Sequence, residues 1–553
     1  MYKFIFSFFV LVFVSFPLSA RQPAAIASAH PLATQAGEEI LQSGGNAFDA
    51  AIAVTAALAV VEPYSSGIGG GGFWLLHRAS DQFEVMLDGR ERAPFNARRD
   101  MYLDKQGNVI KGASIDGPLS AGIPGVPAAL EHLAKQYGQL ALSKSLQPAI
   151  RYARDGFAVD AHYQRMAKLR LQALNHSPAA AAIFLHKGKV PALGYVVKQK
   201  DLAHTLGLIA EQGADGFYKG ELADKLIRGT NKAGGIWSNK DFNEYRVIER
   251  KPISGEYRGM KITSVAPPSS GGVALVEILN QLAAYPLEKL SATQQIHYVV
   301  EAMRRAYRDR AEYLGDTDFV KVPVAKLINK DYATGLHSSI HPDKATPSES
   351  LPGVKKKDGA TDTTHFSIID HQGNRVAATL SINYPFGSAF IPPGTGVLLN
   401  DEMDDFSAKP GVPNVYGLVG AEANAIQPGK RMLSSMSPTF LQTKNRLAVI
   451  GTPGGSRIIS MVLLGALAFH QGENAQTIVD LARYHHQYLP DLIFYEPKAF
   501  SEQQIEKMMA MGHLLKAADN TWGNMQVVVW DKKKSTMTAA SDHRGLGHAL
   551  VIQ

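Results

Sequence analysis

Two kinds of hydrophobic pattern alternate along this chain, and the alternation restricts its fold more than any single motif does. Residues 46–61 and 124–137 have the apolar composition and end signals typical of helices. β-Branched and aromatic runs within residues 365–383 and 525–540, each interrupted by a polar turn, predict two strand hairpins. Mixed elements over 553 residues therefore predict a layered α/β or α+β architecture.

The first 20 residues have the pattern of a secretory signal. Lys3 gives the start a positive charge, residues 4–16 are almost all apolar, and small residues follow as far as Ala20. This apolar stretch is too short for a comfortable membrane span, although an uncleaved anchor stays open as the alternative. We therefore expect a periplasmic or secreted protein that has no stable membrane span after signal removal.

Cysteine is absent from all 553 residues. Its absence excludes disulfide bonds, thiolate metal sites, iron–sulfur clusters and a cysteine nucleophile. The net charge of +7 is spread thinly, with basic triplets only at residues 355–357 and 532–534. This distribution favours anionic small molecules over nucleic acid as partners.

Two motifs suggest chemistry that their context does not support. Residues 67–72 fit G-x-G-x-x-G. A dinucleotide site needs a strand before this motif and a helix after it, whereas here the order is reversed. A glycine turn that lets backbones pack closely is the better interpretation. His485 and His486 lack an accompanying metal-ligand motif, so we expect both to be structural.

A third group of segments combines residue types that can carry chemistry, although each segment alone is a weak signal. A connector rich in Pro, Ser, Lys and Gly at residues 342–361 precedes a strand that begins near Thr363. Segments with hydroxyls, clustered carboxylates and a glycine turn follow in this order: 379–383, 400–407, 433–438 and 451–457. The glycine turn offers free N–H groups for an anion.

These segments, in this order, resemble γ-glutamyltranspeptidases (glutathione hydrolases), members of the N-terminal nucleophile hydrolase superfamily. Four upstream segments extend the resemblance: 44–51, 62–72, 88–94 and 267–272. The similarity covers residues from about 22 to about 545. The combination is specific, although no single motif would be.

The resemblance implies an α+β fold, a four-layer αββα sandwich with two packed sheets. It also implies three segments: a signal peptide at 1–20, a large subunit at 21–362 and a small subunit at 363–553. The two subunits would form one shared core and not separate domains.

The resemblance further implies that the precursor cleaves itself between Asp362 and Thr363. The Thr363 hydroxyl would then be the nucleophile, and its new α-amine, with a reference pKa of about 7.7–8.0, the general base. Ser381 would support Thr363, and the N–H groups of Gly454 and Gly455 would bind the oxyanion. A γ-glutamyl ester, formed from glutathione or a related donor, would pass to water, an amino acid or a peptide. This chemistry requires no metal or organic cofactor.

Substrate-binding positions also follow from the resemblance. Arg90 is expected to hold the substrate α-carboxylate, because a planar guanidinium suits a bidentate contact. Residues 409–431 look like a lid loop with Tyr416 as its gating aromatic. The other expected contacts are hydroxyls for the carboxylate and polar or acidic side chains for the α-ammonium group: Ser434 and Ser435, and Asn383, Glu402 and Asp405.

Two alternatives stay open. A glutaryl- or cephalosporin-type acylase of the same superfamily would need no site for an α-ammonium group, which Glu402 and Asp405 argue against. An unprocessed periplasmic binding protein for γ-glutamyl peptides would result if processing were lost, which the intact Thr363 argues against. His365 stands two residues after the nucleophile, and we expect a structural role for it because the amine already supplies a base.

Overall fold

The computed structural model describes residues 22–351, 363–412, 414 and 417–553. The predicted signal segment 1–20, Asp362 and Tyr416 lie outside the described residues, as does the second half of the predicted connector. No helix in the described part of the chain is both long and apolar enough to cross a bilayer.

Two antiparallel sheets form the centre of the described structure. The larger sheet has seven strands in this spatial order: His548–Ile552, Ala24–Ser28, Thr364–Ile369, Arg375–Ser381, Gly71–Arg78, Phe83–Gly89 and Ile248–Arg250. The smaller sheet has six: Thr536–Ser541, Gln526–Asp531, Arg446–Gly451, Thr439–Gln442, Met260–Ser264 and Ile253–Tyr257. Short strands outside these sheets are Phe157–Ala158, Val196–Val197, Tyr484–His485, Ile493–Tyr495 and Leu515–Ala517. Both predicted hairpins are confirmed as antiparallel pairs within these sheets.

Helices cover the outer face of each sheet. Those on the larger sheet are Pro31–Gln42, Ala47–Val61 and Val126–Gln136; those on the smaller sheet are Gly271–Leu282, Ile458–Gln471 and Ala475–Asp480. The remaining helices are Leu142–Asp155, Ala161–Leu169, Leu171–His176, Pro178–Phe184, Lys200–Gln212, Asp215–Tyr218, Gly220–Lys232, Asn239–Glu244, Ala292–Tyr313, Val324–Leu327, Lys330–His337 and Glu502–Ala510. The helix predicted at 124–137 starts later than expected, because Gly125 is its N-cap residue.

Side chains of the larger sheet alternate between two cores. In strand Ala24–Ser28, Ala24 and Ile26 pack into the core under the first group of helices. Ala25 and Ala27 belong instead to the core shared with the smaller sheet. Two sheets packed face to face between two helical layers form an αββα sandwich, so the predicted fold is confirmed.

Strands from before and after residue 362 interleave in both sheets. Strand Thr364–Ile369 pairs with Ala24–Ser28, and Arg375–Ser381 pairs with Gly71–Arg78. In the smaller sheet Thr439–Gln442 pairs with Met260–Ser264. A backbone cut after residue 362 would therefore remove none of these strand pairs.

Helix Ala47–Val61 is buried along its whole length, as its alanine-rich sequence predicts. A capping box closes its start: the Asn46 side chain accepts the Asp49 N–H, and Asp49 accepts the Asn46 N–H at 3.0 Å. Asp49 also accepts the N–H groups of Gln139 at 2.9 Å and Leu140 at 3.2 Å. One buried carboxylate thus joins the helix to the loop that follows helix Val126–Gln136.

Replacing Asp49 with alanine leaves three N–H groups without their acceptor: the buried one of Asn46 and the part-buried ones of Gln139 and Leu140. We expect the free energy of unfolding to fall by about 3–5 kcal/mol, because each lost partner costs about 1–3 kcal/mol and relaxation recovers part of it. Asp224→Ala, on the exposed face of helix Gly220–Lys232, is the control and should change it by less than about 0.5 kcal/mol. Urea unfolding followed by circular dichroism measures both variants. Equal unfolding midpoints for Asp49→Ala and the wild type would contradict the stabilising role of the Asp49 carboxylate.

Candidate active site

Thr363 lies at the entry to strand Thr364–Ile369, near the middle of the larger sheet. The residue is 6% exposed. The residue after it is anchored from the helical layer, since Thr364 Oγ1 donates to Glu62 Oε2 at 2.7 Å. Glu62 directly follows helix Ala47–Val61. The position of Thr363 is therefore fixed both by the sheet and by the helix packed on it.

A small cavity opens at this end of the strand. Its walls bring together nine of the predicted site residues: Arg90, Thr363, Ser381, Asn383, Glu402, Asp405, Ser434, Ser435 and Gly455. Leu418, Met436 and Ile458 complete the lining with apolar surface. Residues more than 300 positions apart in the sequence thus meet in one small space that has both polar and apolar walls.

A buried ion cluster forms one side of the cavity. Arg90, which is 1% exposed, follows strand Phe83–Gly89. Its Nη1 lies 2.6 Å from Glu402 Oε2, its Nη2 lies 2.5 Å from Asp405 Oδ2, and Glu91 Oε2 is 3.5 Å from Nη1. The sequence assigned Arg90 and the two acidic residues to opposite charges of a substrate, whereas here they bind each other.

Three carboxyl groups around one guanidinium cannot all be ionised cheaply out of water. Burial raises the pKa of Glu91 well above its usual range. Burial also raises the pKa of Glu402 to about 7 against the pull of Arg90, and it raises the pKa of Asp405. Burial opposes the charge of Arg90, but the carboxylates outweigh it and raise the pKa of Arg90. The cluster therefore retains protons near neutral pH while Arg90 stays charged.

Ser381 and Asn383 lie where strand Arg375–Ser381 ends. Asn383 has a φ of 74°, a left-handed conformation that asparagine tolerates better than most residues. Its N–H donates to Ser381 Oγ at 2.8 Å, and its side-chain amide donates to the Asp401 carbonyl at 3.0 Å. The strand was predicted to continue to residue 383, but this turn stops it and places both side chains on the cavity wall.

Ser434 and Ser435 are held by the segment around Pro268. The Ser434 N–H donates to the Pro268 carbonyl at 2.8 Å, and the Ser434 carbonyl accepts the Ser270 hydroxyl at 2.7 Å. Ser435 Oγ accepts a hydrogen bond from Arg310 Nη2 at 3.0 Å. A guanidinium can only donate, so the Ser435 hydrogen is free to point away from Arg310.

Arg310 is a residue that the sequence prediction missed. It is 5% exposed, and its Nε donates to Ser270 Oγ at 3.0 Å while its Nη2 holds Ser435. Burial lowers the pKa of Arg310 to about 10, which still leaves it charged at neutral pH. Arg310 is thus a buried cation that donates to two hydroxyls, and it adds positive potential behind the cavity wall.

Gly454 and Gly455 form the turn between strand Arg446–Gly451 and helix Ile458–Gln471. Their φ angles are 140° and 53°. The φ of Gly454 is one that side-chain-bearing residues rarely adopt, so the conformation of the turn requires glycine there. Gly455 lines the cavity and Gly454 precedes it directly.

The described part of the predicted lid lies against the ion cluster. Asn414 Nδ2 donates to Asp405 Oδ1 at 3.0 Å, and Leu418 lines the cavity. The Gly411 N–H donates to the Gly420 carbonyl at 3.1 Å, which closes the segment on itself. This placement agrees with a segment that covers the site.

The three histidines singled out in the sequence have structural surroundings. His365 Nδ1 lies 2.8 Å from Thr379 Oγ1, and burial lowers the pKa of His365 to about 3, so the ring is neutral. His485 Nδ1 lies 2.7 Å from Ser460 Oγ. His486 Nε2 lies 3.1 Å from Asp491 Oδ1. Each ring bonds to a neighbouring side chain, as expected for structural residues.

Comparison with known proteins agrees with this geometry. The family model described as Gamma-glutamyltranspeptidase matches residues 33–552. A protein named glutathione hydrolase proenzyme from Pseudomonas sp. (strain A14) is 46% identical over 491 residues, which cover 88% of this chain and 85% of that protein.

Solved structures share the fold. The γ-glutamyltranspeptidase of Helicobacter pylori is 44% identical, with a TM-score of 0.58 over 59% of this chain and 94% of that one. A cephalosporin acylase from Bacillus halodurans is 27% identical, with a TM-score of 0.83 over 98% of this chain and 99% of that one. The match along nearly the whole chain confirms the resemblance seen in the sequence: the chain belongs to the γ-glutamyltranspeptidase family of enzymes.

Proposed function

We propose that this chain is a self-processing γ-glutamyltransferase and glutathione hydrolase in which Thr363 carries the γ-glutamyl group. The observation that supports this most directly is the shared cavity, where Thr363 lies with a cation, Arg90, and two acidic residues, Glu402 and Asp405. An amino-acid end that bears both charges needs both kinds of partner. Family membership supports the same class of reaction.

Substrate binding would be an exchange of ion pairs. The α-carboxylate of the donor would replace a carboxylate on Arg90, and its α-ammonium group would take up the charge of Glu402 and Asp405. Each buried charge keeps an opposite partner through this exchange, so the desolvation cost of an unpaired ion is avoided. The proton held by Glu402 can leave as the ammonium group arrives, since the pKa of Glu402 is about 7 in the substrate-free site.

Chemistry would begin with attack of the Thr363 hydroxyl on the Asp362 carbonyl carbon, so that an ester replaces the amide and the Thr363 nitrogen becomes a free amine. Water would then hydrolyse the ester, which leaves a carboxylate on Asp362 and restores the Thr363 hydroxyl. That amine takes the hydroxyl proton while the oxygen attacks the γ-carbonyl carbon, and the leaving amine departs with a proton. N–H groups of Gly454 and Gly455 would stabilise the oxyanion, and Ser381 would position Thr363. The ester then passes to water or to an amine acceptor. Tyr416 would gate the cavity from the lid.

The acylase alternative has less support. A glutaryl group brings a carboxylate for Arg90 but no ammonium group. Glu402 and Asp405 would therefore lose Arg90 as their partner and would receive no other cation in its place. The similarity to the cephalosporin acylase shows the shared fold, and the selectivity lies in the side chains of the cavity.

We also propose that residues 1–20 direct export to the periplasm or the exterior. The charged start, the short apolar stretch and the small residues before Arg21 support this. The proposal is compatible with a catalytic chain that has no cysteine.

Purified wild-type protein should contain two chains, one of which starts at Thr363. N-terminal sequencing and intact mass measure this, and a first chain that starts near Arg21 would also establish signal removal. Thr363→Ala should stay one chain, because it lacks the attacking hydroxyl, whereas Thr334→Ala, an exposed position on helix Lys330–His337, should still be cut. A wild-type protein that remains uncut would leave Thr363 without an amine and would contradict the mechanism.

The wild type should favour a γ-glutamyl anilide over a glutaryl anilide by about 100-fold or more in kcat/KM, because only the former supplies the ammonium partner. Asp405→Asn should lower kcat/KM for the γ-glutamyl anilide by about 100-fold and affect the glutaryl anilide by less than tenfold. Asp104→Asn, in an exposed turn, is the control. Equal use of both anilides by the wild type would favour the acylase.

Arg310→Met should raise KM for a γ-glutamyl anilide about five- to twentyfold with a smaller change in kcat, because Ser435 loses the donor that orients its hydroxyl. Arg310→Lys should recover part of the loss. A 4-aminobutyryl anilide, which lacks the α-carboxylate, should be affected little. In a double-mutant cycle, the effects of Ser435→Ala and Arg310→Met on KM should not add. Fully additive effects would mean that Arg310 does not act through Ser435.

A further inference from the structure

A second group of ligating side chains lies away from the cavity, on the helix that also contains Arg310. His297 and Glu301 are four residues apart on helix Ala292–Tyr313 and therefore share a face. His513 comes from the turn after helix Glu502–Ala510. One ligand atom from each of the three lies within 4.8 Å of the other two, and all three residues are buried. The spacing suits a single ion.

Hydrogen bonds prepare both imidazoles for a cation. His297 Nε2 lies 2.8 Å from the His341 carbonyl, to which it can only donate, so Nδ1 presents its lone pair. Metal-binding histidines usually have such a partner on the other nitrogen. Nδ1 of His297 lies 2.8 Å from Nε2 of His513. The other ring nitrogen of His513, Nδ1, is buried and has no hydrogen-bond partner among the described residues. Burial lowers the pKa of His513 to about 3, so its ring is neutral.

The surroundings of Glu301 restrict the kind of ion. Arg304 Nε and Arg305 Nη1 lie 3.2 and 2.6 Å from its oxygens, and the Thr346 N–H donates at 3.1 Å. These contacts keep Glu301 ionised and oriented but offset much of its charge. A hard cation such as Mg²⁺ or Ca²⁺ would gain little there, whereas Zn²⁺ gains mainly from nitrogen ligands.

We propose that His297, Glu301 and His513 form a binding site for Zn²⁺ or a similar borderline divalent cation. The ion would take the place of the hydrogen between the two rings, and that hydrogen would move from Nε2 to Nδ1 of His513. The two nitrogens would separate by about 0.5 Å to reach tetrahedral zinc geometry, with water as fourth ligand. His297 and Glu301 precede the predicted cleavage point and His513 follows it, so the ion would tie the two segments together.

The test uses the full-length protein as purified, stripped with a chelator and then titrated with ZnCl₂ by calorimetry. We expect one tight Zn²⁺ per protein molecule, that is, per pair of processed chains, and no comparable heat with MgCl₂ or CaCl₂. His513→Gln should weaken Zn²⁺ binding by about 10–100-fold or more, while His176→Gln, an exposed histidine, should bind as the wild type does. Co²⁺ in place of Zn²⁺ should give the visible absorption of a tetrahedral site.

Activity on a γ-glutamyl anilide checks that stripped protein and His513→Gln are folded, since the cluster lies outside the catalytic cavity. Zn²⁺ should also raise the unfolding temperature of the wild type and not that of His513→Gln. Failure of the active wild type to bind Zn²⁺, or binding that His513→Gln leaves unchanged, would overturn the proposal. Neither result would affect the proposed reaction at Thr363.

Discussion

The burial of Arg90 among Glu91, Glu402 and Asp405 is the interaction on which the site depends. Taking one guanidinium and three carboxyl groups out of water costs several kcal/mol per ion unless each finds a partner. Arg90 neutralises only part of the negative charge of the three carboxyl groups. Protons held on Glu91 and shared by Glu402 and Asp405 neutralise the rest. The site is therefore adapted to a ligand that brings its own cation together with its own carboxylate.

The sandwich places these charges beside Thr363, the proposed nucleophile. Arg90 follows strand Phe83–Gly89, Ser381 ends Arg375–Ser381, and Thr363 precedes Thr364–Ile369, so all three come from one sheet. Termini at the same end of neighbouring strands are held in place by the hydrogen-bond ladders behind them, and a catalytic arrangement needs such fixed positions. The interleaving of strands from both sides of residue 362 also explains how the backbone can be cut there without loss of the core.

How much the sequence predicted depended on what each residue shows locally. The hairpins follow from β-branched and aromatic runs around polar turns, and the cavity residues were placed by resemblance to a family whose segments recur in order. Glu62 lay in one of those segments, but nothing there assigned it a role. Arg310 had no such signal, because a helix pattern shows which face is apolar and not which buried charge reaches a distant hydroxyl. The direct pairing of Arg90 with Glu402 was also missed, since the substrate-free site must balance its own charge.

Helix Ala292–Tyr313 links the two regions of interest. His297 and Glu301 lie in the first half of this helix. Tyr307 and Arg310 lie in its second half. The Tyr307 hydroxyl donates to the Ser456 carbonyl beside the Gly454–Gly455 turn, and Arg310 holds Ser435. At 1.5 Å per residue, about 20 Å separates the His297 end from the Arg310 end. A helix of this length moves as a rigid body, so packing that fixes one end also fixes the other. The Gly454–Gly455 turn and the Ser435 hydroxyl are thus held by a helix whose other end lies well outside the cavity.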